Sequence, residues 1–163
     1  MNSETAAPSR GPASPRLAFA FEARVTVGMP LEIGETQSGR RRIIPITGGT
    51  VAGPRLAGTV LPGGADWQTM RADGATELVA RYAIQAGDGA LIPVVNTGLR
   101  HAPADVMRRL LGGERVDPAL VYFRAAPVFH PPAGPHAWLG RSLFIADGER
   151  QPDLVIIRVF EVL

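Results

Sequence analysis

The stretch Gly48-Gly-Thr-Val-Ala-Gly-Pro-Arg-Leu-Ala-Gly-Thr-Val-Leu-Pro-Gly-Gly-Ala-Asp-Trp67 determines how the rest of the chain is interpreted. It combines six glycines and two prolines with apolar residues that keep recurring. Glycine permits tight turns and close approach of two backbones, and proline is excluded from the interior of regular central strands. The stretch therefore predicts strand ends joined by tight turns. It ends on Asp66 and Trp67, a carboxylate beside a large aromatic ring, and such a pair suits the wall of a pocket.

Alternation of side-chain character predicts strands on both sides of this stretch. Leu17, Phe19 and Phe21 alternate with smaller or polar residues, which is the period of a half-buried strand. Pro45 interrupts one of the strands and predicts an edge strand or a bulge there. The remaining predicted strands are Met29–Thr36, Arg42–Thr47, Asp66–Arg71, Glu77–Gln85, Ala90–Thr97, 117–129, Ser142–Ala146 and Leu154–Val162.

Asp-Gly pairs separate several of these strands. They are Asp73-Gly74, Asp88-Gly89 and Asp147-Gly148. An Asp-Gly pair favours a hairpin turn of type I′, in which both central residues have positive φ. Three such pairs predict antiparallel, up-and-down connections between neighbouring strands.

The fold class follows from the order of these elements. One helix is predicted after Pro103, with an apolar stripe of Val106, Met107, Leu110 and Leu111 and an end at Gly112-Gly113. About eight to ten strands with no βαβ rhythm indicate an all-β protein, either a closed antiparallel β-barrel or a sandwich. Met1–Pro15 is polar and rich in proline, which predicts a disordered tail before a single barrel domain at 16–163.

Composition excludes several classes of function. The chain of 163 residues has no cysteine, which excludes a disulfide framework and a thiolate nucleophile. The formal net charge is only +2 and the one basic cluster, Arg40-Arg41-Arg42, is short, so no nucleic-acid partner is predicted.

No signal peptide or run of ~20 apolar residues is present, so we expect a cytoplasmic protein without a membrane partner. His101, His130 and His136 lack ligand spacing, so no metal is predicted.

Two groups of polar residues are candidates for catalysis. If Trp67 walls an apolar pocket, it raises the pKa of Asp66 by desolvation, and the carboxyl can then move a proton. In the alternative interpretation, Asp66 caps the preceding glycine turn and Trp67 is part of the core. Tyr122 and Arg124 share one strand face and, inside a barrel, would hold an anionic or enolate oxygen. A period of two does not say which face is interior. The alternative interpretation, in which Arg124 points to solvent, therefore stays open.

Three further residues are candidates for substrate binding. Tyr82 shares its strand face with Leu78 and Ile84, which predicts that it points inward. Asn96 either binds a ligand or satisfies nearby backbone groups. Trp138 follows a proline-rich loop, which suits the rim of a pocket or, alternatively, an anchor of that loop in the core.

These segments together resemble the DUF3237 family, also called UPF0311, over nearly everything from Leu17 to Leu163. The segments that carry the resemblance are Arg42–Val51, Leu61–Trp67, Ala80–Tyr82, Asp88-Gly89, Asn96–Gly98, Tyr122–Arg124 and Trp138-Leu139. The resemblance implies an antiparallel barrel of calycin-like appearance. It also implies an enzyme that acts on a small organic molecule.

The sequence thus predicts a barrel that binds a small organic ligand and acts as a lyase or isomerase without a cofactor. The expected substrate is a small cyclic or aromatic organic acid or ketone, which reacts by proton transfer. Asp66 is predicted to transfer the proton. The side chains predicted to bind or polarise oxygen are Arg124, Tyr122 and Tyr82. Trp67 and Trp138 are predicted to pack against the ring. The alternative is a non-catalytic carrier or sensor that uses the same pocket.

The last predicted strand bears on assembly. Leu154–Val162 is apolar on both faces, interrupted only by Arg158 and Glu161. A strand with two apolar faces is usually covered on both sides. We therefore expect a homo-oligomer, most simply a two-fold dimer.

Overall fold

The computed structural model describes residues 13–163 as ten strands, one α-helix and two short 3₁₀ helices. The strands are β1 (Leu17–Val27), β2 (Leu31–Thr36), β3 (Gly39–Ala52), β4 (Gly58–Val60), β5 (Gly64–Met70), β6 (Thr76–Ala86), β7 (Leu91–His101), β8 (Tyr122–Phe129), β9 (Phe144–Arg150) and β10 (Leu154–Val162). The helix α1 is Ala104–Leu111, and the 3₁₀ helices are Pro118–Leu120 and Ala137–Gly140. The tail predicted at Met1–Pro15 falls almost entirely outside the described residues.

The strands close into an antiparallel barrel, as predicted. Around the sheet, β1, β10, β9, β8, β7 and β6 follow one another, β4 and β5 share the next position, and β3 returns to β1. Closure is visible at Ala23, which pairs with Ile157 of β10 on one edge and with Val51 of β3 on the other. The barrel therefore has eight strand positions, with β2 as an extension beside β3.

The long strand β3 changes partners along its length. Its first half pairs with β2 and β5, and its second half pairs with β1 and β4. Pro45 lies between the last pairing with β2 and the first pairing with β1, so its missing N–H leaves no ladder bond unmade there. Of the two alternatives predicted at Pro45, the edge strand is wrong, because β3 is paired on both edges. The bulge alternative agrees with a shift in the register between β1 and β3, where Thr26 pairs with Gly48 and Val27 pairs with Ile46. At Gly49, an added Cβ would overlap the Arg24 carbonyl oxygen, so glycine permits the close approach of β1.

Two of the three predicted Asp-Gly turns are present. Asp73-Gly74 and Asp88-Gly89 connect β5 to β6 and β6 to β7. The predicted type I′ geometry is wrong, because only the glycine of each pair has positive φ. Each aspartate instead accepts a hydrogen bond at Oδ1 from the backbone N–H two residues further on.

Asp147-Gly148 is not a turn but lies inside β9, and the chain reverses at 151–153. A Cβ at Gly148 would fall within 2.6 Å of three atoms of the Phe123 ring. The glycine therefore makes room for an inward-facing aromatic ring of the neighbouring strand. The Asp147-Gly148 pair is typical of a turn, but in β9 its glycine allows the Phe123 ring to pack.

The helix α1 follows Pro103 and ends at Gly112-Gly113, as predicted. Val106, Met107 and Leu110 are buried, whereas Leu111 is exposed. The helix lies at the upper end of the barrel, which is the end where β7 finishes and β8 starts. No helix among residues 13–163 has the length and apolar character needed to cross a bilayer.

The inner face of β10 is covered by the barrel, whereas its outer face is covered only in part, because Leu154, Phe160 and Val162 are half-buried. Val155 and Ile157 point into the barrel. Ile156 points outward and is only 3% exposed, with Arg24 and Glu149 as its register partners on the neighbouring strands. The long side chains of such neighbours can cover an apolar residue with their aliphatic stems. The homo-oligomer stays a prediction, because this burial needs no second copy of the chain.

Candidate functional site

A cavity of about 50 Å³ lies inside the upper part of the barrel. For scale, one water molecule needs about 10–15 Å³ and a dry cavity that binds benzene has about 150 Å³. The cavity therefore has room for a few water-sized groups and is smaller than one that holds an aromatic ring. Its polar lining residues are Asp66, Gln68, Tyr82, Asn96, Arg100 and Arg150.

Small inward-facing residues create this space. Register pairing places Asp66 of β5, Ala80 of β6 and Asn96 of β7 in one row across three strands. Neighbouring strands lie ~4.8 Å apart, so Asp66 and Asn96 flank Ala80 at a separation of roughly 10 Å between Cα atoms. The next row upward contains Gly98 and Ala125, which also leave room.

Asp66 is held by a chain of hydrogen bonds. Arg42 Nε donates to Gln68 Oε1 at 2.8 Å, and Gln68 Nε2 donates to Asp66 Oδ2 at 2.7 Å. The other carboxylate oxygen, Oδ1, is buried and has no hydrogen-bond partner in the described structure. Burial raises the pKa of the Asp66 carboxyl, although the Gln68 hydrogen bond, the charges of Arg100 and Arg42, and the backbone N–H of Val79 act in the opposite direction. A carboxyl in this state can take up and release a proton at its free oxygen.

Arginine side chains outnumber carboxylates around the cavity. Arg100 is 2% exposed, and its Nε and Nη2 have no hydrogen-bond partner among the described residues. Burial and the charges of Arg42 and Arg150 lower the pKa of Arg100 to about 10, whereas Asp66 acts in the opposite direction. Among residues 13–163, none of these three arginines has a carboxylate oxygen within 4.0 Å. The cavity therefore presents positive charge that the protein itself does not neutralise closely.

Tyr82 and Asn96 lie in the cavity wall. The inward direction predicted for Tyr82 is confirmed, and burial raises the pKa of its phenol, so the hydroxyl keeps its proton at neutral pH. Asn96 is 6% exposed and its Oδ1 has no partner. Their part in binding a substrate stays a prediction.

Tyr122 and Arg124 lie on the outer face of the barrel. Tyr122 stacks on His101 with 4.7 Å between ring centroids, and Arg124 Nη1 donates to Asp147 Oδ1 at 2.7 Å. The interior of β8 is formed by the alternate residues that begin with Phe123, which is 5% exposed. The expectation that Tyr122 and Arg124 converge with the carboxyl inside the barrel is therefore wrong.

Trp67 is also on the outer face and is 43% exposed. Successive side chains of a strand point to opposite faces, so Trp67 points outward because Asp66 points inward. The indole therefore does not desolvate the Asp66 carboxyl. The apolar part of the cavity wall does so instead, and it includes Ile44 and Leu78.

Trp138 anchors the lower end of the barrel rather than the rim of the cavity. Its ring packs on Phe144 at 5.7 Å between centroids, and the Arg55 guanidinium carbon lies 3.7 Å from the Trp138 ring centroid. Arg55 also pairs with Glu161, which accepts a second hydrogen bond from Ser142 Oγ at 2.6 Å. Trp138 does not line the cavity, so the core-anchor alternative describes its position.

The sequence interpretation missed four residues around the cavity. Gln68 is two residues beyond Asp66 and Arg100 is four beyond Asn96, so each shares a strand face with a residue that was identified. Arg42 belongs to the short basic cluster Arg40-Arg41-Arg42, for which the sequence predicts no role in the barrel interior. Arg150 was missed because the strand was predicted to end at Ala146, before a turn.

The fold and the site together define an eight-stranded antiparallel barrel with a polar, arginine-lined internal cavity. No group of three or more His, Asp or Glu side chains in the described part of the chain is placed to hold a metal ion. The chain belongs to the DUF3237 family, whose model, described as a protein of unknown function, matches residues 15–162. The resemblance noted in the sequence is thereby confirmed.

Relatives of known sequence and structure agree with this assignment. A UPF0311 protein of Rhodopseudomonas palustris is 42% identical over 145 residues, which is 89% of this chain and 95% of the relative. A crystal structure of a conserved protein of unknown function from the same species superposes with a TM-score of 0.91 at 39% identity, covering 93% of this chain and 100% of that one. The hydroalkoxylation enzyme phnH of Penicillium herquei is 39% identical over 86 residues, which is 53% of this chain and 57% of that enzyme.

Proposed function

We propose that the barrel is a cofactor-independent lyase or isomerase in which Asp66 transfers a proton to and from a small cyclic or aromatic organic acid or ketone. The observation that carries this proposal is the buried, unpartnered Oδ1 of Asp66 in the cavity wall, on a carboxyl whose pKa is raised by burial. A general acid works best when its pKa is moved toward the working pH.

The relationship to a hydroalkoxylation enzyme supports this reaction class. Hydroalkoxylation adds the O–H bond of an alcohol or phenol across a C=C bond, so that oxygen binds one carbon and hydrogen binds the other. Within one molecule the reaction balances without an oxidant or reductant: protonated Asp66 gives its proton to one alkene carbon, the substrate oxygen bonds to the other, and the hydroxyl proton returns to Asp66. The same carboxyl can remove a proton next to a carbonyl and return it at another position.

The small cavity volume determines how such a substrate would enter. With about 50 Å³ available, the reacting oxygen and carbon fit beside Asp66, and the rest of the ring contacts the apolar wall toward Val27 and Val155. Tyr82 offers a neutral hydroxyl on the same wall. Trp67, Trp138, Tyr122 and Arg124 have no part in this arrangement, because they do not line the cavity.

The test compares Asp66→Asn with Asp147→Asn, a matched change on the outer face. A panel of ortho-alkenyl phenols and small cyclic ketones is followed by NMR in D₂O, which records both ring closure and deuterium uptake. We expect Asp66→Asn to lower turnover by about 10²–10⁴, the scale of a lost general acid or base, and Asp147→Asn to leave it unchanged. Full activity of Asp66→Asn would exclude the proposed proton transfer.

A second candidate is a non-catalytic carrier or sensor. The observation that favours it is the pair of buried side chains, Arg100 and Asn96, whose unpartnered atoms a bound ligand would satisfy without any proton transfer. A wild-type protein that binds members of the panel and neither converts nor exchanges them would support this candidate.

A further inference from the structure

Arg100 is a buried cation whose Nε and Nη2 have no hydrogen-bond partner in the part of the chain that the structure describes. Its register neighbours on the adjacent strands are Thr76 and Phe123, and the guanidinium carbon lies 5.8 Å from the Phe123 ring centroid. An aromatic face attracts a cation weakly compared with a carboxylate. Burying a charge without a hydrogen-bonded partner costs free energy. The buried Thr76 Oγ1 on the neighbouring strand makes no hydrogen bond to Arg100, so Arg100 lacks an acceptor among residues 13–163.

Arg42, which lies behind Gln68, and Arg150, which lines the cavity, differ from Arg100 because each makes a hydrogen bond. Arg42 Nε donates to Gln68, and Arg150 Nη2 donates to the Pro152 carbonyl at 3.2 Å. Arg100 leaves Nε and Nη2 unpaired, and these two N–H groups lie on the same edge of the guanidinium plane. That edge is the one with which arginine binds two oxygen atoms, or one shared oxygen, in a fixed geometry.

Asn96 supplies the complementary polarity on the same strand. It lies four residues before Arg100 on the same face of β7, and Gly98 between them has no side chain to fill the gap. Its amide oxygen is buried without a donor. One end of the cavity thus lacks an acceptor and the other lacks a donor.

We infer that the cavity binds a small organic oxyanion, a carboxylate, phenolate or enolate, whose oxygen accepts hydrogen bonds from Arg100 Nε and Nη2 while a hydroxyl of the same molecule donates to Asn96 Oδ1. The inference rests on the proposed function, because it assigns the substrate class of the same cavity. In a proton transfer at carbon, Arg100 stabilises the negative charge that develops on the substrate oxygen.

The test uses para-nitrophenol, whose phenolate absorbs visible light and whose phenol does not. The absorbance is titrated with the wild type and with Arg100→Met, which keeps a long side chain but removes the charge. Arg81→Met is the matched control, because Arg81 is exposed on the outer face of β6. We expect the wild type to bind the phenolate and lower the apparent pKa of the probe. Arg100→Met is expected to weaken binding by about 10- to 100-fold, the scale of hydrogen bonds to a charged group, and Arg81→Met to leave it unchanged.

Two further probes distinguish the sources of the oxyanion. Para-nitrobenzoate tests the carboxylate, and para-nitroanisole has the same ring without an ionisable oxygen. Binding of either anion that depends on Arg100 supports the inference and names the preferred oxyanion. Equal binding of para-nitroanisole and the anions, or anion binding unchanged in Arg100→Met, overturns it.

The result is independent of proton transfer. Asp66→Asn removes a neighbouring carboxylate, so it should bind the phenolate at least as tightly as the wild type does. If Asp66→Asn loses turnover while Arg100→Met keeps anion binding, the proposed function stands and the inference falls. If Asp66→Asn is fully active and Arg100→Met loses anion binding, the proposed function falls and the inference stands.

Discussion

The arginines inside the barrel and those on its outer face have opposite surroundings. Outside, Arg158 contacts Glu22, Asp147 and Glu149 at 3.1, 3.4 and 3.0 Å. Inside, Arg100 has no carboxylate oxygen of residues 13–163 within 4.0 Å. The hydrogen bond to Glu149 raises the pKa of Arg158, whereas burial lowers the pKa of Arg100.

The difference separates two uses of one residue type. The outer arginines join β1, β9 and β10 through ion pairs that water can reach, and such pairs contribute modestly to stability. We expect Arg100 to lower stability, because a buried donor without an acceptor retains its desolvation cost. The inferred oxyanion would supply an acceptor to Arg100 and so offset this cost.

The largest effect is expected at Arg100. Arg100→Met should raise the free energy of unfolding by about 1–3 kcal/mol, the cost of an unsatisfied buried donor, and raise the melting temperature accordingly. Chemical denaturation of the ligand-free protein measures this change. A clear loss of stability would mean that Arg100 holds the fold together, and the contrast with the outer arginines would disappear.

A smaller effect is expected from the titration of Asp66. Its pKa in the folded state lies above the ordinary 3.8, so the folded protein holds the proton more tightly than the unfolded chain does. The stability that Asp66 contributes is therefore present at low pH and is lost as the pH rises through the folded-state pKa. The unfolding free energy of Asp66→Asn relative to wild type should increase over that range, as measured by denaturation at several pH values. A difference that stays constant with pH would contradict the raised pKa.

Arg158→Met tests the outer face and should have the opposite sign. Removing the cation leaves Glu22, Asp147 and Glu149 without their shared partner, and we expect stability to fall by about 1 kcal/mol. The loss should shrink at high salt, which screens exposed charges. A gain in stability would show that the outer network is no better paired than the cavity.

The smallest effect is expected at Arg24, whose side chain is 55% exposed and pairs with Glu22 at 2.8 Å. Arg24→Met should change the free energy of unfolding by less than about 0.5 kcal/mol, as is usual at exposed positions. Denaturation under the same conditions as for Arg158→Met gives the comparison. A loss as large as that of Arg158→Met would mean that the number of partners does not set the contribution of an outer arginine.

Much of the fold was predictable because strand period and turn residues are local signals. The alternation around Phe19 and Phe21, the turns at Asp73-Gly74 and Asp88-Gly89, and the helix between Pro103 and Gly112 all follow from short stretches of sequence. The prediction of a turn at Asp147-Gly148 is wrong because this glycine makes room for the ring of Phe123, a residue of another strand. No local pattern distinguishes a glycine that serves a turn from one that makes room for a ring.

The candidate site was less predictable because alternation fixes two faces without saying which is inside. Tyr122 and Arg124 were placed on the wrong side by that ambiguity, although Phe123 and Phe129 both mark the opposite face as apolar. Trp67 was placed in the cavity together with its neighbour Asp66, which a regular strand does not allow. Gln68 and Arg100 were accessible to the same reasoning, since each shares a face with an identified residue.

The closure of the barrel through β1 has a consequence for how the chain folds. The hairpins β5–β6 and β6–β7 join residues that are close in sequence, but Ala23 meets Ile157 only after nearly the whole chain has been made. Contacts of such long separation slow folding, because the entropy of a large loop is lost before the contacts form. During synthesis β1 therefore waits with one edge unpaired and Phe21 uncovered, a state that favours aggregation and engagement by chaperones.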